Sequence, residues 1–182
     1  MKEEIPASLP EPLGKPVTLT TYVDANLYHD FISGRSVTGI LQLVNGTPID
    51  WYTKRQDTVE TATYGSELVA ARIATDKSID LRLTLRYMGV PVRGATYMFG
   101  DNQSVITSST IPHSTLGKRH NDLAYHRTRE AVAAGITKFY HIDGTKNPAD
   151  ILTKHLGYQQ AWPHVEPLLF WRGDTAECKR AQ

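Results

Sequence analysis

With 182 residues, 40% of them hydrophobic and 21% charged, the chain has the size and composition of one globular domain with a sizeable core. Its formal net charge of +1 excludes a uniformly basic nucleic-acid binder, and no apolar run approaches the ~20 residues of a membrane-spanning helix. The single cysteine, Cys178, excludes an internal disulfide and a cysteine-based zinc site, and indicates a reducing compartment.

The first part of the chain divides into a linker and a β-rich region. Residues 1–16 carry four prolines and lack the apolar core of a secretory signal, so they predict an extended N-terminal linker. Alternating apolar and polar residues over 17–26 predict a first strand that ends at Asp24. Residues 36–55 predict a hairpin, because Asn45-Gly46 is typical of a turn with positive φ angles.

Beyond residue 60 the hydrophobic period becomes helical. A long helix is expected to face the sheet with one stripe, formed by Glu67, Ala70, Ala74, Leu81, Leu85 and Met88. Gly89 would end this helix.

The remaining elements alternate between strands and helices. A fourth strand (95–99), a short polar helix (102–109), a longer helix (Lys118–Ala134) and a fifth strand (136–142) are expected. Residues 147–156 predict a helix with Asn147 as its cap and Pro148 at its first position, and a last helix is expected over 158–170. The order βββαβαβα describes a mixed α/β domain over 17–157, followed by a C-terminal helix and tail over 158–182.

Four acidic residues stand at the ends or on the inward faces of these elements: Asp24, Glu67, Asp101 and Asp150. Each alone has a structural explanation, such as helix capping, turn hydrogen bonds or an ion pair of Glu67 with Arg72 or Lys77. If the first and fourth strands are neighbours, however, all four acids meet in one cleft and repel one another. Divalent cations would relieve that repulsion, and two of them can drive phosphoryl transfer.

A basic region over 113–130 is a second candidate site. Arg119, His126 and Arg129 share a helix stripe, which predicts either a solvated surface or contacts with nucleic-acid phosphates. The histidines of this region lack the cysteines that would indicate zinc. Trp51, on the inward face of its strand together with Ile49, is expected in the core.

Seven segments occur in the order in which a known family has them: YVDAN, SGRSVTG, PIDWYTKRQ, ATYGSELVAA, GDNQS, KRHNDLAYHRTRE and NPADILTK. Over roughly residues 20–157 the chain resembles the ribonuclease H domain of copia-type LTR retrotransposon polyproteins, which follows the reverse transcriptase. The resemblance implies a ribonuclease H-like, five-stranded mixed sheet with its second strand antiparallel to the others. The family places Asp and Trp after YVDA, whereas this chain has Asn26, so that Leu27 or Tyr28 would take the place of the tryptophan.

The resemblance also implies an activity, namely cleavage of the RNA strand of RNA–DNA hybrids to leave a 5′-phosphate and a 3′-hydroxyl. Two Mg²⁺ ions, for which Mn²⁺ could substitute, would be held by Asp24, Glu67, Asp101 and Asp150. His141 corresponds to a mobile histidine that helps product and metal leave, although a partly buried strand histidine is an equal alternative. The expected substrate contacts are Arg35, Ser36, Lys54, Gln56, Asn102, Gln103, Arg119, His126 and Arg129.

The implied partners are an RNA–DNA hybrid and the reverse transcriptase domain of the same polyprotein, with no membrane. We expect a cytoplasmic particle, with the nucleus as an alternative location. A catalytically silent domain that tethers the hybrid for the polymerase remains the alternative function. An integrase or transposase core fits less well, because those enzymes use fewer acids at different spacings.

Overall fold

The computed structural model describes residues 7–116 and 121–169. The strands are β1 (Leu19–Asp30), β2 (Arg35–Val44), β3 (Thr47–Arg55), β4 (Thr96–Gly100) and β5 (Thr137–His141). The α-helices are α1 (Thr63–Tyr87), α2 (Gln103–Thr110), α3 (Asp122–Ala133) and α4 (Tyr158–Leu169). Two 3₁₀ helices, Gly144–Lys146 and Pro148–Leu152, connect β5 to α4. Within the described ranges, no helix has both the length and the hydropathy needed to cross a bilayer.

All five strands form one mixed sheet in the order β3-β2-β1-β4-β5. β2 is antiparallel to β1 and β3, whereas β4 is parallel to β1 and β5. The β2–β3 turn has φ angles of 51° at Asn45 and 84° at Gly46, as expected for a two-residue hairpin loop. The mixed α/β sheet and the predicted hairpin are therefore confirmed.

The core lies between the sheet and the helices α1 and α3. Val23, Ile40 and Met98 on neighbouring strands are almost fully buried and belong to one hydrophobic cluster with residues of α1, such as Leu68 and Ala71. The small residues of α1 allow its axis to lie close to the strands. This packing fixes the first turns of α1 relative to the carboxyl ends of β1 and β4.

The predicted stripe of α1 is correct in its first half and wrong in its second. Glu67, Ala70 and Ala74 are buried, but Leu81 and Leu85 are only half-buried and Met88 is 70% exposed. The buried face continues instead through two polar residues.

Those two residues are Ser78 and Arg82, and both have partners on the sheet side. Ser78 Oγ forms a hydrogen bond with Thr21 Oγ1, and Arg82 donates to the Gly94 carbonyl oxygen. A hydropathy pattern does not reveal a helix face that is buried through hydrogen bonds. Gly89 has a φ of 74° just beyond the helix, so the predicted stop is confirmed.

Other sequence predictions need correction. Trp51 is 67% and Ile49 is 43% exposed, because the side of the edge strand β3 that packs on the core carries Tyr52 instead. The segment after β5 contains a short 3₁₀ helix, Pro148–Leu152, rather than an α-helix. The two helices predicted before the fifth strand are present as α2 and α3, so the order βββαβαβα omitted one of them. Residues 118–120 of the predicted long helix and residues 170–182 of the C-terminal segment lie outside the described residues.

Candidate active site

Asp24 and Asp101 lie at the same edge of the sheet because β1 and β4 are parallel neighbours. Tyr22 pairs with Phe99, and each acid follows two residues later, Asp24 within β1 and Asp101 directly after the end of β4. The predicted adjacency of the first and fourth strands is therefore confirmed. The prediction that Asp24 ends its strand is wrong, because β1 continues to Asp30 in antiparallel pairing with β2.

Glu67 reaches the same position from the first turns of α1. Among the described residues, Asp24, Glu67 and Asp101 form a group in which one carboxylate oxygen from each residue lies within 4.8 Å of the other two. The backbone N–H of Ala25 donates to the Glu67 carboxylate and so holds it beside β1. We call these three acids the carboxylate triad.

The alternative ion pairs for Glu67 are contradicted by the structure. Arg72 pairs with Asp76, and Lys77 pairs with Asp50. The Glu67 carboxylate faces the other two acids of the triad instead, and it is only 6% exposed. Its position is therefore explained by the cluster and not by a helix-surface salt bridge.

Burial and mutual repulsion disfavour the ionised triad. Burial raises the pKa of Glu67 well above its usual range, and the charges of Asp24 and Asp101 raise it further. Burial also raises the pKa of Asp24, although the Thr153 hydroxyl and the Lys154 ammonium oppose this shift. A set of crowded carboxylate oxygens fits a hard divalent cation, which would favour the charged form of each acid.

The fourth predicted acid, Asp150, borders the triad without joining it. It lies on the 3₁₀ helix Pro148–Leu152, which the side chain of Asn147 caps by accepting from the Ala149 N–H while donating to the Val23 carbonyl oxygen of β1. The ammonium of Lys154 stands between the two groups, 2.8 Å from Asp150 Oδ1 and 3.7 Å from Asp24 Oδ1. Three of the four predicted ligands are thus together, and the fourth is linked to them through a lysine.

Comparisons with known proteins agree with this geometry. No protein-family model matches the chain. It is 32% identical over 141 residues to the Retrovirus-related Pol polyprotein from transposon TNT 1-94 of Nicotiana tabacum. The match covers 78% of this chain and 10% of the polyprotein, so the chain spans about a tenth of that relative's length.

Two solved structures show the fold. LC11-RNase H1 in complex with RNA/DNA hybrid matches with a TM-score of 0.57 and 15% identity, over 75% of this chain and 94% of that chain. The foamy viral protease-reverse transcriptase in complex with RNA/DNA hybrid matches with a TM-score of 0.51 and 12% identity, over 90% of this chain and 22% of that chain. The chain is a ribonuclease H-like domain related to a retrotransposon Pol polyprotein. The resemblance inferred from the seven segments is confirmed.

Gly39 of β2 allows the segment that carries Asp150 to lie beside the triad in this ribonuclease H-like domain. Gly39 pairs with Asp24, and a Cβ at this glycine would lie 2.6 Å from Thr153 Cγ2 and 3.0 Å from the Ala149 carbonyl oxygen. The missing side chain therefore allows the segment around Pro148–Leu152 to pack directly on the sheet. The Thr153 hydroxyl in turn donates to Asp24 Oδ2.

Sequence reasoning did not assign roles to Gly39, Thr153 or Lys154. Gly39 lies in the segment SGRSVTG, and the other two follow Asp150 in NPADILTK. The only signal for Lys154 was its spacing of four residues from Asp150, which is typical of a local ion pair. Nothing in the sequence indicated that this lysine also approaches Asp24.

His141 ends β5 at the rim of the site. Its side chain is exposed, and its Nε2 lies 3.1 Å from the backbone oxygen of Asp101. The structure thus places His141 beside the triad, and its catalytic role stays a prediction.

Three of the predicted substrate contacts are buried or hydrogen-bonded within the fold. Ser36 is fully buried and Gln56 is 3% exposed, and Gln56 Nε2 donates to Thr38 Oγ1 and the Ser66 carbonyl oxygen. Arg129 donates to the carbonyl oxygens of Ser108, Ile111 and Pro112 and so braces the α2–α3 connection. The burial of Ser36 and Gln56 contradicts direct contact of these two side chains with a substrate. Arg129 is half-buried, and its contact with a substrate stays a prediction.

The other predicted contacts have mixed surroundings. Asn102 caps α2 by accepting from the Ser104 and Val105 N–H groups. Lys54, Gln103 and His126 are exposed, whereas Arg35 is half-buried. Arg119 lies outside the described residues. For these residues substrate binding stays a prediction.

Proposed function

We propose that this domain is a divalent-metal-dependent ribonuclease H that hydrolyses the RNA strand of RNA–DNA hybrids. The observation that carries the proposal is the carboxylate triad, in which one oxygen from each acid lies within 4.8 Å of the other two. Burial and repulsion disfavour the charged state of Glu67 and Asp24. A bound cation would stabilise that charged state. An all-oxygen ligand set is the kind that Mg²⁺ prefers, and Mn²⁺ would substitute.

The comparisons support the choice of substrate. Two proteins of this fold, LC11-RNase H1 and the foamy viral protease-reverse transcriptase, were solved in complex with RNA/DNA hybrid. The sequence relative is a retrovirus-related Pol polyprotein. We therefore take the RNA–DNA hybrid as the substrate and the reverse transcriptase domain of the same polyprotein as the partner.

Asp24, Glu67 and Asp101, with Asp150 beside them, would hold the catalytic cations. Two such ions would supply activation of a water molecule and stabilisation of the leaving oxygen, so that the products would carry a 5′-phosphate and a 3′-hydroxyl. The chain itself orients the acids: the Thr153 hydroxyl holds Asp24, and the Ala25 N–H holds Glu67.

His141 has the position to move a proton at the rim of the site. Its ring nitrogen lies next to the backbone of Asp101, and its side chain is open to solvent. An imidazole ring can donate or accept a proton through its nitrogens. We assign it to product release rather than to holding the cations.

A gel assay on three substrates tests the proposal. Labelled RNA–DNA hybrid, double-stranded RNA and double-stranded DNA are incubated in parallel with the full chain, with Mg²⁺ or with EDTA. We expect cleavage of the hybrid alone, and only with Mg²⁺. Cleavage in EDTA, or equal cleavage of double-stranded RNA, would contradict it.

A silent tether is the second candidate, and one observation favours it. The ion pair with Lys154 keeps Asp150 outside the triad, so the fourth ligand is not in place with the other three. A tether would bind hybrid but would cut nothing with Mg²⁺ or Mn²⁺. The same gel assay, combined with a binding measurement on the hybrid, separates the two functions.

A further inference from the structure

We propose that Lys154 is a built-in counterion of the candidate metal centre, and that its ammonium competes with any second cation that Asp24 and Asp150 would hold. The inference rests on the proposed metal-dependent function, and it adds an order of cation binding. Lys154 is a positioning residue in this role, because it acts through the two carboxylates.

The Lys154 ammonium forms ion pairs with Asp24 of β1 and with Asp150 of the 3₁₀ helix Pro148–Leu152. Lys154 Nζ lies 2.8 Å from Asp150 Oδ1 and 3.7 Å from Asp24 Oδ1. The side chain of Lys154 is 35% exposed, whereas the side chains of Asp150 and Asp24 are 13% and 1% exposed. The lysine therefore inserts from the solvent side into the space between two largely buried carboxylates.

The remaining contacts of Asp24 divide its two oxygens between different partners. Oδ2 accepts the hydrogen bond of Thr153, and Oδ1 faces Lys154. The ion pairs of Lys154 are with Asp24 and Asp150, whereas Glu67 and Asp101 complete the triad. A cation held by the triad can therefore bind while the ion pair of Lys154 with Asp150 remains intact.

A second cation is in a different situation. Asp24 and Asp150 could hold it only where the Lys154 ammonium now lies, 3.7 Å and 2.8 Å from their Oδ1 atoms. Two like charges cannot share that position at low cost, since their repulsion at a few ångströms exceeds the worth of a partly exposed ion pair. The Lys154 side chain must move away from both carboxylates before a second cation can bind. Because this breaks its ion pairs, the second cation binds more weakly than the first.

Mn²⁺ binding to the full chain tests this order. Free Mn²⁺ is followed by electron paramagnetic resonance during titration of the wild type and the Lys154→Met variant. We expect two ions to bind per chain in both proteins. The dissociation constant of the more weakly bound ion should be roughly fivefold lower in Lys154→Met, because the loss of a partly exposed ion pair worth about 1 kcal/mol changes a dissociation constant by that factor. The tighter constant should change much less.

Three further variants control the measurement. Lys77→Met removes an ion pair of similar geometry, since Lys77 Nζ lies 3.1 Å from Asp50 Oδ2 with side chains 28% and 46% exposed. It should leave both Mn²⁺ constants unchanged. Lys154→Arg keeps the charge and should resemble the wild type, and Lys154→Gln gives the same test as Lys154→Met if the latter folds poorly.

The proposal is overturned if the weaker constant stays the same or rises without Lys154, or if both proteins bind a single ion. The proposed function fails separately. Hybrid that stays uncut while Lys154→Met binds the second Mn²⁺ more tightly contradicts the nuclease and supports the counterion. Normal cleavage with unchanged Mn²⁺ constants contradicts the counterion alone.

Discussion

Asp24 and Asp101 lie side by side because the parallel pairing of β1 with β4 aligns Tyr22 with Phe99, two residues before each acid. Glu67 of α1 completes the triad within 4.8 Å. Each acid belongs to a different element, so the cluster exists only when the sheet and α1 are packed together. Binding of a cation to the triad is therefore coupled to folding.

Mg²⁺ should raise the melting temperature of the protein. At about 100 times its dissociation constant, a ligand that binds only the folded state adds about 2.7 kcal/mol, which for this chain length corresponds to roughly 5–10 °C. In Asp24→Asn the increase should fall to less than half, because one ligand of the triad is lost. Thermal unfolding with and without Mg²⁺ measures both values, and an equal increase in the two proteins would count against a shared cation site.

Glu67→Gln should make the metal-free protein more stable at neutral pH. The pKa of Glu67 is raised in the folded state by burial and then by Asp24 and Asp101, so the folded state binds more protons than the unfolded state above the ordinary carboxyl range. The unfolding free energy of the wild type therefore falls as the pH rises through that range towards the raised pKa. Glutamine has nearly the same shape as glutamate but does not titrate, so Glu67→Gln removes this pH dependence of the unfolding free energy.

Thermal unfolding in EDTA at a series of pH values measures the difference. The melting temperatures of the wild type and Glu67→Gln should converge near pH ~4, where the unfolded carboxyl begins to hold its proton, and diverge towards neutral pH. A constant difference across this range would show that Glu67 is not the group responsible.

Replacing Gly39 by alanine should disturb the site through its fourth acid. The new Cβ would meet Thr153 Cγ2 at 2.6 Å and the backbone oxygen of Ala149 at 3.0 Å, so the segment that carries Asp150 must shift. Overpacking of this kind destabilises a protein by about 1–3 kcal/mol. We expect that loss in denaturant unfolding, together with weaker Mn²⁺ binding.

Gly157→Ala is the matched control for Gly39→Ala. A Cβ at Gly157 has no neighbour within 4 Å, and this glycine has no positive φ. Its stability and its Mn²⁺ binding should remain those of the wild type. If Gly39→Ala is as stable as Gly157→Ala, the close approach at β2 does not constrain the segment.

Arg129→Met should reduce stability rather than hybrid binding. The guanidinium of Arg129 donates to three carbonyl oxygens, so its removal should lower the unfolding free energy by about 2 kcal/mol. Arg127→Met removes only an ion pair with Asp76 at the surface and should cost at most about 1 kcal/mol.

Hybrid binding at several salt concentrations completes the comparison. A residue that contacts a phosphate contributes to the salt dependence of binding. The slope for folded Arg129→Met should equal that of the wild type. A clearly smaller slope would show that Arg129 does contact the nucleic acid.

The sheet and the triad could be predicted from sequence because local signals and topology agree. Asn45-Gly46 defines the hairpin, and Asp24 and Asp101 meet because each follows an aligned pair of residues, Tyr22 and Phe99, in two parallel strands. The misjudged surroundings of two arginines have a common cause. Arg82 and Arg129 are tied to backbone carbonyls, and hydropathy or charge patterns do not show whether a polar side chain finds such a partner.

The position of Asp150 shows the same limit within the site. The sequence correctly indicated an Asn147 cap and a helical turn, but the ion pair with Lys154 depends on how that turn packs on β2. This packing depends on Gly39, whose importance is visible only when the distances to Thr153 and Ala149 are known. The four acids could therefore be predicted from the sequence, but the separation of Asp150 from the triad could not.

The rate at which Asp101→Asn cuts labelled RNA–DNA hybrid in Mg²⁺ tests the central claim most directly. Asp80→Asn, which changes an exposed acid of α1 away from the triad, is the control and should cut at the wild-type rate. Asp101→Asn should be more than ~100-fold slower, because loss of a residue that only supports a metal ligand already lowers activity by about 10–100-fold. Its melting temperature in EDTA should stay at or above that of the wild type. A folded Asp101→Asn that cuts hybrid at the wild-type rate would contradict the assignment of the triad as the catalytic centre.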